Sequence, residues 1–238
     1  MTQLVAPGGR LRAAINFGNP VLAQRDPHGG EPRGVSAALA RELGRRLGVP
    51  VEFVPFDGAG QVVDAAARDA WDVAFLAVDP VRGEQLAFTS PYVVIEGTYL
   101  VRDDSPARAV GDLDRDGVRI AVGRGSAYDL FLTRTLARAS IVRVATSAGA
   151  MDAFVEQRLD AAAGVKQPLT AYAAAHPGLR VIPGRFMAIE QAVALPKARA
   201  AALPYVQAFV EEMKRSAFVA SALAQSGQTG ATIAPPAA

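Results

Sequence analysis

Short apolar runs alternate with amphipathic stretches along almost the whole chain, the pattern of an α/β protein whose largely parallel strands are covered on both faces. The spacing predicts strands over 11–17, 51–56 and 71–78, with helices over 35–47 and 61–70 between them. The helix over 35–47 carries the clearest signal: Leu39, Leu43 and Leu47 recur every four residues, and Gly48 and Pro50 stop it. A Gly/Pro-rich loop over 26–34 precedes it. After an extended run over 92–102 and a polar, turn-rich segment over 103–117, a second series begins. Strands are predicted over 118–123, 141–145 and 160–165, and helices over 126–138, 147–159 and 168–176. A second extended run over 187–196 leads into an amphipathic helical segment over 198–225. The small, proline-containing residues 229–238 predict a disordered tail.

Two similar series joined by two extended runs predict two lobes, residues 1–102 with 190–238 and an inserted lobe over 103–189. Two crossings make a hinge, and the cleft beside it is the expected small-molecule site.

Half of the 238 residues are hydrophobic and 20% are charged, enough to bury a substantial core. The net charge of +2 is small and the basic residues are scattered, which argues against nucleic acid as a partner. The absence of cysteine excludes disulfides, thiol nucleophiles and thiolate metal sites. No stretch approaches the ~18 apolar residues of a membrane span. The two histidines, His28 and His176, stand beside Pro or Gly in predicted loops, so a Ser/His/Asp triad or a histidine metal cluster is not expected. No phosphate-binding glycine motif is present, and no cofactor is expected.

Two places carry candidate chemistry. Val122-Gly123-Arg124-Gly125-Ser126-Ala127-Tyr128-Asp129 stands where a strand feeds a helix. Backbone N–H groups and the positive helix end there suit a carboxylate or phosphate. The same residues also read as an N-cap, Ser126, with Asp129 in capping-box position. The second place is Arg82, just beyond the carboxyl end of the strand that stops at Asp79-Pro80. Its two-pronged guanidinium can grip a carboxylate there, or pair with Asp79 or Glu84 at the surface. Phe56, also at a strand end, reads as core or as a platform for ligand.

In this order the pieces resemble the family 3 (polar amino acid type) periplasmic solute-binding proteins of ABC transporters, from about residue 11 to 225. The resemblance rests on Gly34-Val35-Ser36 through Leu47-Gly48-Val49, Val54-Pro55-Phe56-Asp57-Gly58, Trp71-Asp72-Val73 and Asp79-Pro80-Val81-Arg82. It continues in Ala87-Phe88-Thr89-Ser90-Pro91-Tyr92, Val122-Gly123-Arg124-Gly125-Ser126 and Leu159-Asp160-Ala161-Ala162. It implies a two-lobed, type II periplasmic-binding-protein-like α/β fold, two mixed sheets flanked by helices and joined by two hinge strands. Arg82 then looks like the carboxylate-binding arginine and Phe56 like the aromatic packing on the ligand. Ser126, with the amides of Gly125 to Ala127, is similar to the second lobe's carboxylate grip.

Departures from the family pattern shape the expected ligand. An aspartate that pairs with a ligand α-ammonium is usual where this chain has Val165, Lys166 and Gln167. Asn16 and Asn19 stand where an acid and an aromatic are common, and Ala74, Phe75 and Ala77 replace a polar shelf. Losing the acid removes roughly 1.5–3 kcal/mol of charge-assisted bonding, about one to two decades of affinity. Lys166 would also repel an ammonium. The expected ligand is therefore a small carboxylate without a free amine, its carbon skeleton meeting Phe56, Phe75 and Tyr128. Glu190 or Glu96 could still serve an amine. The resemblance implies a monomer that delivers this solute to an ABC permease or senses it, in the periplasm or outside the cell. Residues 1–9 lack a secretory signal, which keeps the cytoplasm open. The alternative is an enzyme resembling the cyclohexadienyl dehydratases, with Glu190 or Lys166 as proton donor.

Overall fold

The computed structural model describes residues 1–228 and 230–237. The chain divides into two compact units, 1–94 with 190–238 and 95–189.

The first unit opens with a short helix α1 (Thr2–Val5), then β1 (Leu11–Asn16), α2 (Val35–Leu47), β2 (Val51–Phe56), α3 (Ala59–Ala66), β3 (Val73–Ala77), the single turn α4 (Pro80–Gly83) and the start of β4 (Leu86–Arg102). β1 lies parallel to β2, with Leu11 opposite Val51 and Asn16 opposite Phe56, and parallel to β3 on its other side. The four-residue repeat of α2 does what its spacing predicts: Val35, Leu39, Leu43 and Leu47 are all buried. β3 starts at Val73 rather than 71 because the two preceding residues have other partners. The Trp71 indole donates to the Val62 carbonyl at 2.9 Å, and Asp72 is held by Arg12. α3 correspondingly ends at Ala66 rather than 70. β4 begins at Leu86, ahead of the expected 92, and Thr89 within it accepts a bond from the Val193 amide at 3.1 Å.

In the second unit the later half of β4 continues into β5 (Arg119–Gly123), α5 (Ala127–Thr135), β6 (Ser140–Val144), α6 (Ser147–Glu156), β7 (Ala161–Val165), α7 (Lys166–Ala175) and β8 (Leu179–Val181). β5 runs parallel to β6 and β7, and β4 pairs antiparallel with β7 and β8. Phe154, Leu159 and Leu169 fill the core of this unit among Leu100, Ala121 and Ala162. α5 stops at Thr135, short of the expected 138, because the Asp114 carboxylate accepts the amides of Ala137, Arg138 and Ala139 and draws the chain out of the helix. The three-residue strand β8 is too short for a periodicity signal.

The chain returns through β9 (Met187–Pro196), a 3-10 turn over Lys197–Ala202, α8 (Leu203–Arg215), α9 (Phe218–Gln225) and β10 (Thr232–Ile233). β9 pairs antiparallel with β3. The helical segment expected over 198–225 is thus broken, at the 3-10 turn and at Ala217, whose φ is +59°. The first crossing comes at 94/95 instead of 102/103, since Gly97 to Arg102 pair with β7 and β8.

The disordered tail is overturned for the residues described. Thr229 and Ala238 lie outside them. Between these, Thr232 and Ile233 pair with Val94 and Val93, and the Ala234 amide donates to the Tyr92 carbonyl at 3.1 Å. The physical cause is Lys214, an almost buried ammonium that donates to the carbonyls of Pro91 and Pro235 and pairs with Glu211. Burying that charge requires such partners, and the tail supplies one of them.

α2 and α8 are tied by ions. Glu42 accepts from Arg45 and Arg46, and Arg46 reaches Glu212. Hydrogen bonds from Arg45 foremost, and from Arg46, pull the Glu42 carboxyl down from 4.5 to about 2 against the opposing effect of burial. A depressed carboxyl contributes stability above its unfolded pKa and loses it as pH falls through the folded one. Between about pH 5 and 2 this group is expected to surrender about 1–2 kcal/mol, less than the full shift implies because Arg45 is exposed. Urea unfolding at a series of acid pH values checks this, and Glu42→Gln should flatten that part of the profile.

Candidate functional site

β1, β2 and β3 are parallel, so their carboxyl ends open at one edge of the first unit's sheet, the usual ligand edge of such sheets. Asn16, Phe56 and Ala77 are the last residues of these strands. Asn16 Oδ1 accepts the Gly18 amide at 3.0 Å. A Cβ at Gly18 would lie 2.6 Å from the Asp57 carbonyl oxygen, so glycine is what lets the turn after β1 close on the turn after β2. That turn carries Asn19, which is nine-tenths buried and whose Oδ1 accepts no hydrogen bond among the described residues.

Arg82 follows from the end of β3. Asp79 caps α4 by accepting the Val81 amide at 2.9 Å, and Pro80 sets the first helical position. The turn points Arg82 back beneath itself, where it is 2% exposed and its Nη1 donates to the Ala77 carbonyl at 2.9 Å. Burial pushes the guanidinium down to about 10, partly offset by the negative charge of Asp79. It therefore stays protonated at neutral pH, and the Asp79 charge acts on it at a buried position rather than at the surface. Phe56 packs on the core that holds Trp71 and Val62. Phe75 is buried edge-on against Tyr92, ring centroids 6.3 Å apart. Glu190 is exposed, and its carbonyl accepts the Val78 amide at 2.8 Å.

In the second unit the junction of β5 and α5 forms the tight turn the glycines predict. A Cβ at Gly123 would stand 2.7 Å from the Ser147 amide, and Gly125 has φ +67°. Ser126 is the N-cap, its Oγ accepting the Asp129 amide at 3.1 Å, while Asp129 Oδ2 accepts the Gly125 amide at 2.8 Å. The Ser126 amide donates to the Gly123 carbonyl. Two of the three amides expected to grip a carboxylate thus bond inside the turn. The other groups expected to grip a carboxylate are the Ala127 amide, the Ser126 hydroxyl and the positive helix end. Tyr128 is also a strut. Its ring is buried, and its hydroxyl donates to Ser147 Oγ at 2.5 Å, tying the starts of α5 and α6.

Lys166, the first residue of α7, is half of an ion pair. Its Nζ lies 2.9 Å from Glu96 Oε2, and Arg185 reaches the other oxygen at 3.2 Å. The bond from Lys166, above all, holds the Glu96 carboxyl below its ordinary range. The structure therefore unites Lys166 with Glu96, a pairing that sequence reasoning missed, and places Glu190 in the other unit. Of the two proton-donor candidates for a dehydratase, Glu190 is exposed and Lys166 is paired with Glu96. The Ser147 partner of Tyr128 and the Arg143 partner of Asp129 were missed too; no local pattern announces either.

His28 is an exposed loop residue, and His176 stacks on Tyr172 with its Nδ1 2.8 Å from the Tyr172 carbonyl. Among the described residues no group of three or more His, Cys, Asp or Glu could hold a metal, and no helix is long and apolar enough to cross a membrane.

The architecture is shared with solved structures of low sequence identity. The P235GK mutant of ArgBP from T. maritima has a TM-score of 0.80 at 22% identity, covering 95% of this chain and 98% of that one. The solute receptor for L-cysteine of Neisseria gonorrhoeae has a TM-score of 0.82 at 22% identity, covering 94% and 92%. The ancestral amino acid-binding protein AncCDT-1, a precursor of cyclohexadienyl dehydratase, has a TM-score of 0.78 at 24% identity, covering 94% and 98%. At these identities the likeness establishes the fold. No protein with a curated description matches the sequence. The sequence does match one family over residues 11–225, which takes in β1 to α9 and so every element that carries a candidate site residue. The chain belongs to the bacterial extracellular solute-binding proteins, family 3.

Proposed function

We propose that this solute-binding protein captures a small metabolite by its carboxylate, for delivery to an ABC permease or for sensing. The observation that carries the reading is Arg82: a buried guanidinium, depressed to about 10, at the ligand edge of a parallel sheet. A guanidinium held at that edge offers a planar, two-pronged donor fork that matches a carboxylate. The Ser126 turn in the second unit favours the same sign through its helix end. Asn19, in the turn after β1, offers an amide oxygen with no partner among the described residues, suited to a hydroxyl or N–H donor on the solute.

Lys166 and Arg185 surround Glu96, so that cluster carries one more cation than anions. A solute without an α-ammonium is therefore favoured over a zwitterion. The test is a thermal-shift panel followed by calorimetric titration. It contains L-arginine and L-cysteine, the solutes named for two proteins of the same fold, each with its des-amino analogue and its carboxamide, together with succinate and prephenate. The des-amino acids are expected to outbind their amino acids, and Lys166→Asp should shift that preference by about tenfold to a hundredfold toward the amine. Carboxamides that bind as well as the acids, or a panel in which no acid binds, would refute carboxylate capture. Tight wild-type binding of an amino acid, unaltered by Lys166→Asp, would refute the preference.

A further inference from the structure

Asp129 puts a negative charge directly under the turn that carries Ser126. Its side chain is almost wholly buried in the first turn of α5. Oδ2 accepts the Gly125 amide at 2.8 Å, and the Asp129 amide donates to Ser126 Oγ, so this residue fixes the shape of the turn from both sides. The same carboxylate opposes any anion presented to the helix start. At a separation of roughly 7 Å and an effective dielectric of about 20, one uncompensated charge disfavours a second by a factor of roughly fifty. That charge is not left uncompensated. Arg143, from β6, donates its Nε to Asp129 Oδ1 at 2.9 Å and its Nη2 to Thr133 Oγ1 at 2.7 Å. Thr133 Oγ1 in turn lies 3.3 Å from the same Asp129 oxygen, which closes a three-residue clamp.

We infer that Arg143 is a charge-setting positioning residue for solute capture: it neutralises Asp129 beneath the Ser126 turn, so that the carboxylate can shape the turn without repelling the solute's carboxylate. The inference rests on the reading of the Ser126 turn as ligand-facing. A guanidinium suits this task because it stays charged at every physiological pH and meets both the carboxylate and Thr133 with fixed geometry. Its role differs from that of a packing residue in one respect. Removing it should penalise solutes according to their charge rather than their size.

The experiment titrates two probes calorimetrically: the panel acid that most stabilises the wild type, and the carboxamide of that acid. Arg143→Gln is expected to lose about tenfold to fiftyfold in affinity for the acid, with little change for the carboxamide, and the loss should deepen at low salt. Arg143→Lys should fall between. The double variant Asp129→Asn/Arg143→Gln, which carries neither charge, should recover the wild-type acid-to-carboxamide ratio. It also decides the matter if Arg143→Gln alone fails to fold, because it buries no unpaired ion. Equal losses for acid and carboxamide, or a double variant that does not recover the ratio, would overturn the inference. Ser126→Ala separates the two levels. If it weakens the acid while Arg143→Gln does not, the turn is ligand-facing and the role of Arg143 is wrong. If it leaves the acid unaffected, the ligand-facing reading fails and the inference with it.

Discussion

Arg82→Ala is expected to weaken binding of a carboxylate solute by about 2–5 kcal/mol, a loss of roughly thirtyfold to several thousandfold. Arg82 is buried, its Nη1 fixed on the Ala77 carbonyl, so the guanidinium is held ready rather than ordered on binding. Preorganisation of this kind reduces the entropic cost of capture. Two further variants resolve the origin of the loss. Arg82→Lys keeps the charge but not the planar fork, and should recover only part of the affinity. Asp79→Asn removes the charge that offsets burial of the guanidinium but keeps an oxygen to cap α4. It should therefore leave the fold in place and alter affinity only modestly. Titration calorimetry with the best acid of the panel measures all three, and melting without solute separates folding from binding. Full affinity in a folded Arg82→Ala protein would remove Arg82 from the site.

The turns that carry Arg82 and Ser126 were legible in the sequence because their signals are local. A strand that stops at Asp-Pro, and a glycine pair that leads into Ser with Asp three residues on, each specify a turn within a handful of residues. The α2 repeat was legible for the same reason. What the sequence hid depends on residues brought together over long separations. Lys166 stands 70 residues from Glu96, and Arg185 stands 89 from it. Only the pairing of β4 with β7 brings the first two together, so a lysine that reads as a lone cation turns out to share an acid. The tail misled differently. Its small, proline-containing composition lacks any periodicity, and its order comes from Lys214, whose ammonium draws in the Pro235 carbonyl. The strut role of Tyr128 was hidden because its hydroxyl partner, Ser147, belongs to another helix.

Asp72→Ala is expected to destabilise the protein by about 3–5 kcal/mol, the range for removing one partner of a buried ion network. The Asp72 side chain is 1% exposed and accepts from the Arg12 amide at 2.8 Å, from Arg12 Nη2 at 2.8 Å and from Arg199 Nη1. It thereby joins the start of β1, the approach to β3 and the 3-10 turn that opens the C-terminal helices. Arg199 also donates to the Trp71 carbonyl at 3.1 Å, and both arginines reach Asp69. Asp69 cannot take over, because it is 70% exposed and an exposed pair contributes little. Without Asp72 two guanidinium groups face each other across a buried position, and like charges add repulsion to the lost bonds. Asp72→Asn keeps the acceptor oxygen and the volume while removing the charge, so it should cost less than the alanine. Combining Asp72→Ala with Arg199→Ala should cost less than the sum of the two single losses, since the second change removes a charge the first has stranded. Urea unfolding of the three single variants (Asp72→Ala, Asp72→Asn, Arg199→Ala) and the double variant checks the series. Strictly additive losses would mean that Asp72 and Arg199 act independently and that the network does not hold the C-terminal segment to the sheet.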